Sequence, residues 1–294
     1  MAGEIRVLVR RGDVVEATHL VHAVAVRDGA IVGEAGDPRL VTFFRSSAKP
    51  FQALPLARAY DDLDQRELAI ASASHLARRE QLDAVRMLLS RAHADEDDLE
   101  CGPEGEPPSR LKHNCSGKHA GMLAVCRAHG WRTEGYRLPG HRMQREILED
   151  VARIAGVEAD AIRTAVDGCG VVTFALPLER MAAMFTQLQS TAEGMRVADA
   201  MRAFPEYVRG PGATDTVLMQ TLPGAVVKGG AEGLICGVLA DGTGFALKSA
   251  DGTQRPHRAA LAAFLAPLGV ELPDFATTPV TNSRGEVVGD FVAP

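Results

Sequence analysis

Val41-Thr42-Phe43-Phe44-Arg45-Ser46-Ser47-Ala48-Lys49-Pro50-Phe51-Gln52 reads as the end of a strand turning into a helix, with a serine and a lysine at the junction. On the first turn of a helix, positions i and i+3 share a face, so the Ser46 hydroxyl and the Lys49 amine can meet. A lysine desolvated enough to lose its proton can accept one from serine. Ser-x-x-Lys is therefore a nucleophile–base pair that needs neither histidine nor aspartate. The four-residue pattern alone says little, and a second copy, Ser109-Arg110-Leu111-Lys112, follows Pro107-Pro108 and reads as loop. Context separates the two: a strand precedes Ser46 and a helix starts at it.

On the N-terminal side of this junction, residues 4–44 are β-rich. Ile5-Arg6-Val7-Leu8-Val9 and Leu20-Val21-His22-Ala23-Val24-Ala25-Val26 alternate, and Arg27-Asp28-Gly29 turns the chain into Ala30-Ile31-Val32-Gly33. Beyond it, helical spacing covers Pro50–Tyr60, Glu67–Ser74, Arg78–Ala94, Lys118–His129, Arg142–Ala155 and Leu178–Phe204, the last with a break near Ser190-Thr191. Strand signals return at Ala225–Lys228, Gly233–Leu239 and Gly244–Lys248, before a final helix over Pro256–Leu268. The predicted fold is α/β: a mainly antiparallel sheet drawn from the N- and C-terminal segments, packed on helices, with a helical subdomain between. The expected division is 1–45 for the N-terminal strands, 46–214 for the mostly helical region with the Ser-Lys and Cys motifs, and 215–294 for the C-terminal strands and helix.

Composition narrows the function classes. The chain of 294 residues can bury a sizeable core, and its net charge of −6, with no Lys/Arg cluster, argues against a nucleic-acid or anionic-membrane partner. No run of about twenty apolar residues is present, and the N-terminus lacks the apolar region of a signal peptide. The five cysteines, at 101, 115, 126, 169 and 236, are odd in number and scattered, which suits free thiols in a reducing cytoplasm better than a disulfide framework.

Two cysteine motifs stand out. Asn114-Cys115-Ser116-Gly117-Lys118-His119-Ala120-Gly121 opens a helix and is either a reactive cluster or a helix start capped by Ser116 with a core cysteine. Val166-Asp167-Gly168-Cys169-Gly170-Val171 flanks its cysteine with glycines that allow close backbone approach. Two such cysteines could share a metal, yet Zn²⁺ wants about four ligands and no Cys-x-x-Cys or His-x-x-x-His supplies the rest. Ser74 closes the small-residue stretch Ala69–Ala73, and Lys248 ends a late strand, where a lone lysine is ordinarily solvated. Lys228-Gly229-Gly230-Ala231-Glu232-Gly233 lacks the Gly-Lys-Ser/Thr order of a phosphate-binding loop and precedes no helix, so it is not a nucleotide site.

Arg45–Gln52, Asn114–Leu123, Asp167–Gly170 and Lys228–Gly233 together resemble the bacterial asparaginase II family with paired Ser-Lys tandems, over about Val7 to Leu268. The resemblance implies a fold similar to serine β-lactamases and glutaminases, a homodimer, and hydrolysis of L-asparagine to aspartate and ammonia through an acyl-enzyme. It assigns Ser46 and Lys49 to the first tandem and Ser74 and Lys248 to the second. In the expected mechanism Asp167 and His119 either hold the charged α-groups of the substrate or support the metal ligands, and Arg45 is a further substrate-binding candidate. The resemblance also implies one zinc per subunit on Cys115, Lys118 and Cys169, positioning substrate and not generating a nucleophile, with the lysine bound as neutral amine. After Ser74-His75 the family usually continues with a small residue and an acid, where this chain has Leu76-Ala77-Arg78-Arg79-Glu80. Two alternatives follow from the same residues. Lys248-Ser249-Ala250 resembles the Lys-Thr-Gly element of glutaminases and β-lactamase-like acyl hydrolases. A zinc-dependent binding or sensor protein would keep Cys115 and Cys169 without hydrolysis.

Overall fold

A computed structural model describes residues 3–294. Its strands are β1 (Ile5–Arg11), β2 (Val14–Arg27), β3 (Ala30–Ala35), β4 (Val41–Phe43), β5 (Arg163–Val166), β6 (Val172–Pro177), β7 (Val226–Gly229), β8 (Leu234–Val238), β9 (Gly244–Ser249), β10 (Thr277–Thr281) and β11 (Val287–Val292). The larger sheet runs β10-β11-β1-β2-β9-β8-β7, with β3 also paired to β2, and the smaller runs β4-β6-β5. N- and C-terminal segments interleave in the larger sheet through antiparallel pairs: Val9 faces Phe291 across β1–β11, and His22 faces Lys248 across β2–β9. The fold is mixed α/β with an antiparallel sheet built from both ends of the chain and a helical unit between, as the alternation of the terminal segments predicts.

The chain divides into two compact units. Unit 1 takes the residues up to Thr42, Pro177–Thr186 and Gly229–Pro294; unit 2 takes Phe43–Leu176 and Gln187–Lys228. In unit 1 the segment Pro177–Thr186 attaches through Leu178 N–H to Leu40 O and Glu179 N–H to Pro38 O. Its helix lies so close to β9 that a Cβ on Gly244 would sit 2.1 Å from Ala182 O, which explains a glycine at that strand position. Among the described residues, no helix is long and apolar enough to cross a membrane.

Unit 2 is organised on the helix Ser116–Ala128, whose residues 116–126 are all buried. Contact with the helix Gln65–Ala71 is close because Gly117 and Gly121 face it: a Cβ at Gly117 would lie 2.2 Å from Ile70 O, and one at Gly121 would lie 3.4 Å from Ala71 Cβ. The Gln65–Ala71 helix begins with a capping box, Asp64 accepting from Arg66 N–H while Glu67 accepts from Asp64 N–H. It ends at Ala71, before Ser74, so that serine stands in a loop and not on the expected helix.

Other boundaries differ from the periodicity for local reasons. The helix expected over Pro50–Tyr60 is a 3-10 turn at Arg45–Ala48 followed by short helices Lys49–Gln52 and Leu54–Ala59, each with a proline in its first turn. The break near Ser190-Thr191 is where it was expected, with the Thr191 hydroxyl accepting from Gly194 N–H to start the next helix. The β5–β6 hairpin, the helix Thr214–Thr221 and the last two strands carry no clear periodic signal and were not expected.

Replacing Gly117 by alanine should overpack this helix pair against backbone that cannot move aside. We expect a loss of about 1–3 kcal/mol, read as a fall in Tm of roughly 3–10 °C. An unchanged melting curve would mean that the two helices are free to separate.

Candidate active site

The β4–β6 ladder carries the chain directly into the Ser46 turn. Phe44 N–H donates to Phe174 O at 2.8 Å and Arg45 N–H to Thr173 Oγ1 at 3.2 Å. Arg45 itself holds a left-handed backbone at φ 49°, an unfavourable conformation for a non-glycine residue, and begins the 3-10 turn in which Ser46 stands second. Ser46 is half-buried, whereas Ser47, Ala48 and Lys49 are buried. The Ser47 hydroxyl donates to Lys228 O at 2.8 Å and so ties the turn to β7.

Lys49 has no exposed surface. Its amine donates to Ala73 O and, at 2.9 Å, to Ser74 Oγ. Burial pulls its pKa below the ordinary lysine value; Lys118 adds to this and the sulfurs of Cys115 and Cys169 oppose it. Ser46 Oγ makes no hydrogen bond to Lys49 among the described residues, so the first tandem is adjacent in sequence but the serine that Lys49 touches is that of the second. Ser74 is fixed through Ser74 N–H to Val208 O at 2.8 Å. The neighbouring His75 is neutral, its pKa lowered to about 3 by burial and by the charges of Lys49 and His113. Its Nδ1 accepts from Ala77 N–H, so Nε2 carries the proton given to Ser116 Oγ at 2.8 Å. Ser116 passes its own proton to Leu111 O and is not the helix cap; Cys115 occupies that position.

Lys228 also belongs to this constellation, a role invisible when it is read as the first residue of a glycine-rich loop. It is wholly buried, with Nζ 3.6 Å from Asp215 Oδ2. Burial brings its pKa down to about 7, with Lys49 and Arg209 contributing in the same direction and Asp215 resisting. The ion pair and the low pKa pull opposite ways, and at 3.6 Å the pair is too long to outweigh complete desolvation. The readable signal was slight: a lysine closing the apolar run Ala225-Val226-Val227. Lys248, expected as Ser74's partner, donates to Ser249 O at 2.6 Å and has Glu232 and Asp251 as its charged neighbours, all within unit 1. In the second Ser-x-x-Lys copy, Ser109 bonds Glu96 and Lys112 bonds Pro107 O.

Cys115, Lys118 and Cys169 do come together, but not as a zinc site. Cys169 sits in the β5–β6 hairpin loop, where Asp167 N–H bonds Val171 O and Gly170 adopts φ 86°. Lys118 Nζ donates to Cys169 Sγ at 3.1 Å. A hydrogen bond from Cys115 brings the Cys169 thiol down to about 5 against the effect of burial, with the Lys118 charge and the Val171 N–H assisting. Burial alone would lower Lys118; the charges of Cys169, Cys115 and Asp167 outweigh it and hold the amine above its ordinary value. The Lys118 amine is thus held in its protonated form and bonded to Cys169. No group of three or more His, Cys, Asp or Glu able to hold a metal exists among the described residues. The expected zinc cofactor is corrected to a buried thiolate–ammonium pair.

The three expected substrate residues are already engaged. Arg45 contacts Asp167 Oδ1 at 3.2 Å, and Asp167 stays ionised because Lys118 and Arg45 lower its pKa against burial. His119 is fully buried and neutral; its Nδ1 accepts from the Tyr136 hydroxyl at 2.7 Å, leaving Nε2 without a hydrogen-bond partner.

The site is a buried lysine amine bonded to a serine hydroxyl on an α/β scaffold. The chain matches the L-asparaginase II family over residues 7–293 and belongs to it, which identifies the protein as a hydrolase of the asparaginase type acting on a small-molecule amide. No curated protein matches it. Among solved structures it is similar to EstCE1, a hydrolase with promiscuous acyltransferase activity, at 11% identity over 78% of this chain and 88% of that one, with a TM-score of 0.41. A putative β-lactamase from Bacteroides dorei DSM 17855 stands at 13%, 78%, 85% and 0.41 on the same measures. Neither likeness is strong enough to bear on the chemistry.

The thiolate makes a signed statement about stability. A thiol at about 5 when folded and at its ordinary 9.0 when unfolded adds stability that is complete above the unfolded value and vanishes as pH falls through the folded one. Lys118→Met removes the ammonium and pulls Cys169 back up, so the variant's Tm should climb less than the wild type's between about pH 5 and 9. Parallel slopes in paired melts would show that the ammonium does not hold the thiolate.

Proposed function

We propose that the protein hydrolyses the side-chain amide of L-asparagine through a serine acyl-enzyme. The observation that carries this reading is Lys49, fully buried, lowered in pKa and 2.9 Å from Ser74 Oγ. In this mechanism Ser46, the half-buried hydroxyl on the strained turn, attacks the carboxamide carbon. Its proton passes to neutral Lys49 through Ser74, and Lys49 returns a proton to the departing ammonia. Lys228, with a pKa near neutrality, keeps the charge of this network adjustable from inside the same unit. Water then releases aspartate. The protein works as a homodimer in the cytoplasm in this reading; the dimer follows from the family resemblance, and the compartment from five free cysteines.

A second reading has its own support. Because Lys49 touches Ser74 and not Ser46, Ser74 is the competing nucleophile. Peptide mass mapping of the trapped acyl adduct separates the two. We expect the adduct on the peptide containing Ser46, and Ser46→Ala to lose about three orders of magnitude or more in kcat while melting normally. An adduct on Ser74 would reverse the assignment. Ammonia release from asparagine, glutamine and small peptides, together with opening of a chromogenic β-lactam, separates the asparaginase from a glutaminase or β-lactamase-like hydrolase.

The lysines also fix the direction of the pH dependence. A base must be neutral, so kcat/KM should rise as pH climbs through the lowered lysine values, with an inflection near the Lys228 value of about 7 if that residue controls the network. A profile that peaks in mild acid and falls above neutrality would rule out a lysine base.

A further inference from the structure

Arg209 is a half-buried arginine whose charge nothing neutralises. Its Nη1 rests on Ser74 O at 3.4 Å, and no carboxylate lies within ion-pair distance of it among the described residues. Asp215, which shares the surroundings of Lys228 with Arg209, is committed to Lys228. Arg209 and Lys49 both press the Lys228 pKa down, so the guanidinium lies within electrostatic reach of the buried lysines of unit 2. Guanidinium keeps its proton at any working pH and presents a planar fork that matches a carboxylate.

Its placement is tightly built. Gln81 has no exposed surface. Its Oε1 accepts from Leu76 N–H and Arg78 N–H, each at 3.0 Å. Its Nε2 donates to Glu206 O at 2.8 Å, Tyr207 O at 3.4 Å and Arg209 O at 3.1 Å. One side chain thus locks the loop carrying Ser74 to the loop carrying Arg209, and Ser74 N–H to Val208 O adds a direct bond between them. A satisfied buried amide of this kind fixes geometry, since losing it would orphan several backbone groups at once.

We propose that Arg209 receives the free α-carboxylate of the substrate, so that the site selects small amides carrying a carboxylate a few bonds from the carboxamide. The short reach follows from Arg209 lying on the carbonyl of Ser74 itself, next to the hydroxyl that Lys49 touches. This inference rests on the amidohydrolase reading above and narrows it to a substrate class.

The test compares three amides in wild type and Arg209→Gln: L-asparagine, succinamate (carboxylate without the ammonium) and β-alaninamide (ammonium without the carboxylate). Removing the guanidinium should raise KM for L-asparagine and succinamate by about 10- to 100-fold, with a much smaller penalty on β-alaninamide. Arg209→Lys should recover part of the loss. An equal penalty on all three amides would make Arg209 a structural residue, and an unchanged KM for L-asparagine would remove it from the site; either result overturns the proposal. Calorimetric binding of L-aspartate to both proteins provides an arm independent of turnover. If wild type releases no ammonia from any amide, the amidohydrolase reading fails, while weaker aspartate binding in Arg209→Gln still supports the carboxylate site. Equal aspartate affinity in the two proteins, or no binding to wild type, refutes it.

Discussion

A lysine amine with no exposed surface constrains everything around it. Lys49 must either find acceptors for its protons or give up its charge, and the structure supplies both exits: Ala73 O and Ser74 Oγ accept from it, and burial lowers its pKa. Meeting those acceptors requires the loop after Ala71 to fold back over the Lys49 turn. That in turn needs the helix Gln65–Ala71 to stop where it does and to lie against the helix Ser116–Ala128 at glycine distance. The two glycines of Ser116-Gly117-Lys118-His119-Ala120-Gly121 therefore serve the chemistry indirectly. They set the helix spacing from which the Ser74 loop is hung.

Much of this was legible, and the limits have physical causes. Alternation in the terminal segments exposed the sheet because half-buried antiparallel strands must alternate. The Ser46–Lys49 junction was readable because a strand end, a turn and a helix start each have local signatures. Ser74 was placed on a helix because Ala69–Ala73 are good helix formers; the helix ends instead where the loop finds Val208 O, a partner more than a hundred residues away in the chain. Lys228 escaped notice for a similar reason. Solvated and buried lysines look identical in a sequence, and only long-range packing against Lys49 and Asp215 distinguishes this one. Lys248, a lysine at a strand end resembling a known element, has its own strand neighbour and two nearby acids as polar partners within its unit, none of which its sequence position announces.

The same distinction accounts for the cysteines. Spacing brought Cys115, Lys118 and Cys169 to attention, and the hairpin at Asp167–Val171 does deliver Cys169 to the helix start. What spacing does not carry is protonation. In the folded chain Lys118 donates to Cys169 at 3.1 Å, and the charges of Cys169, Cys115 and Asp167 favour its protonated form.

That proton position has a consequence for Lys49. Lys118 as an ammonium lowers the Lys49 pKa, and the Cys169 thiolate 3.1 Å from it raises the Lys49 pKa again. The two act in opposite directions at Lys49, and Cys115 raises its pKa as well. Burial is left as the dominant influence on the base. Without the sulfurs Lys118 would depress Lys49 further, and without Lys118 the sulfurs would raise it. Opposed charges at the buried helix start thus leave desolvation as the largest influence on the Lys49 amine.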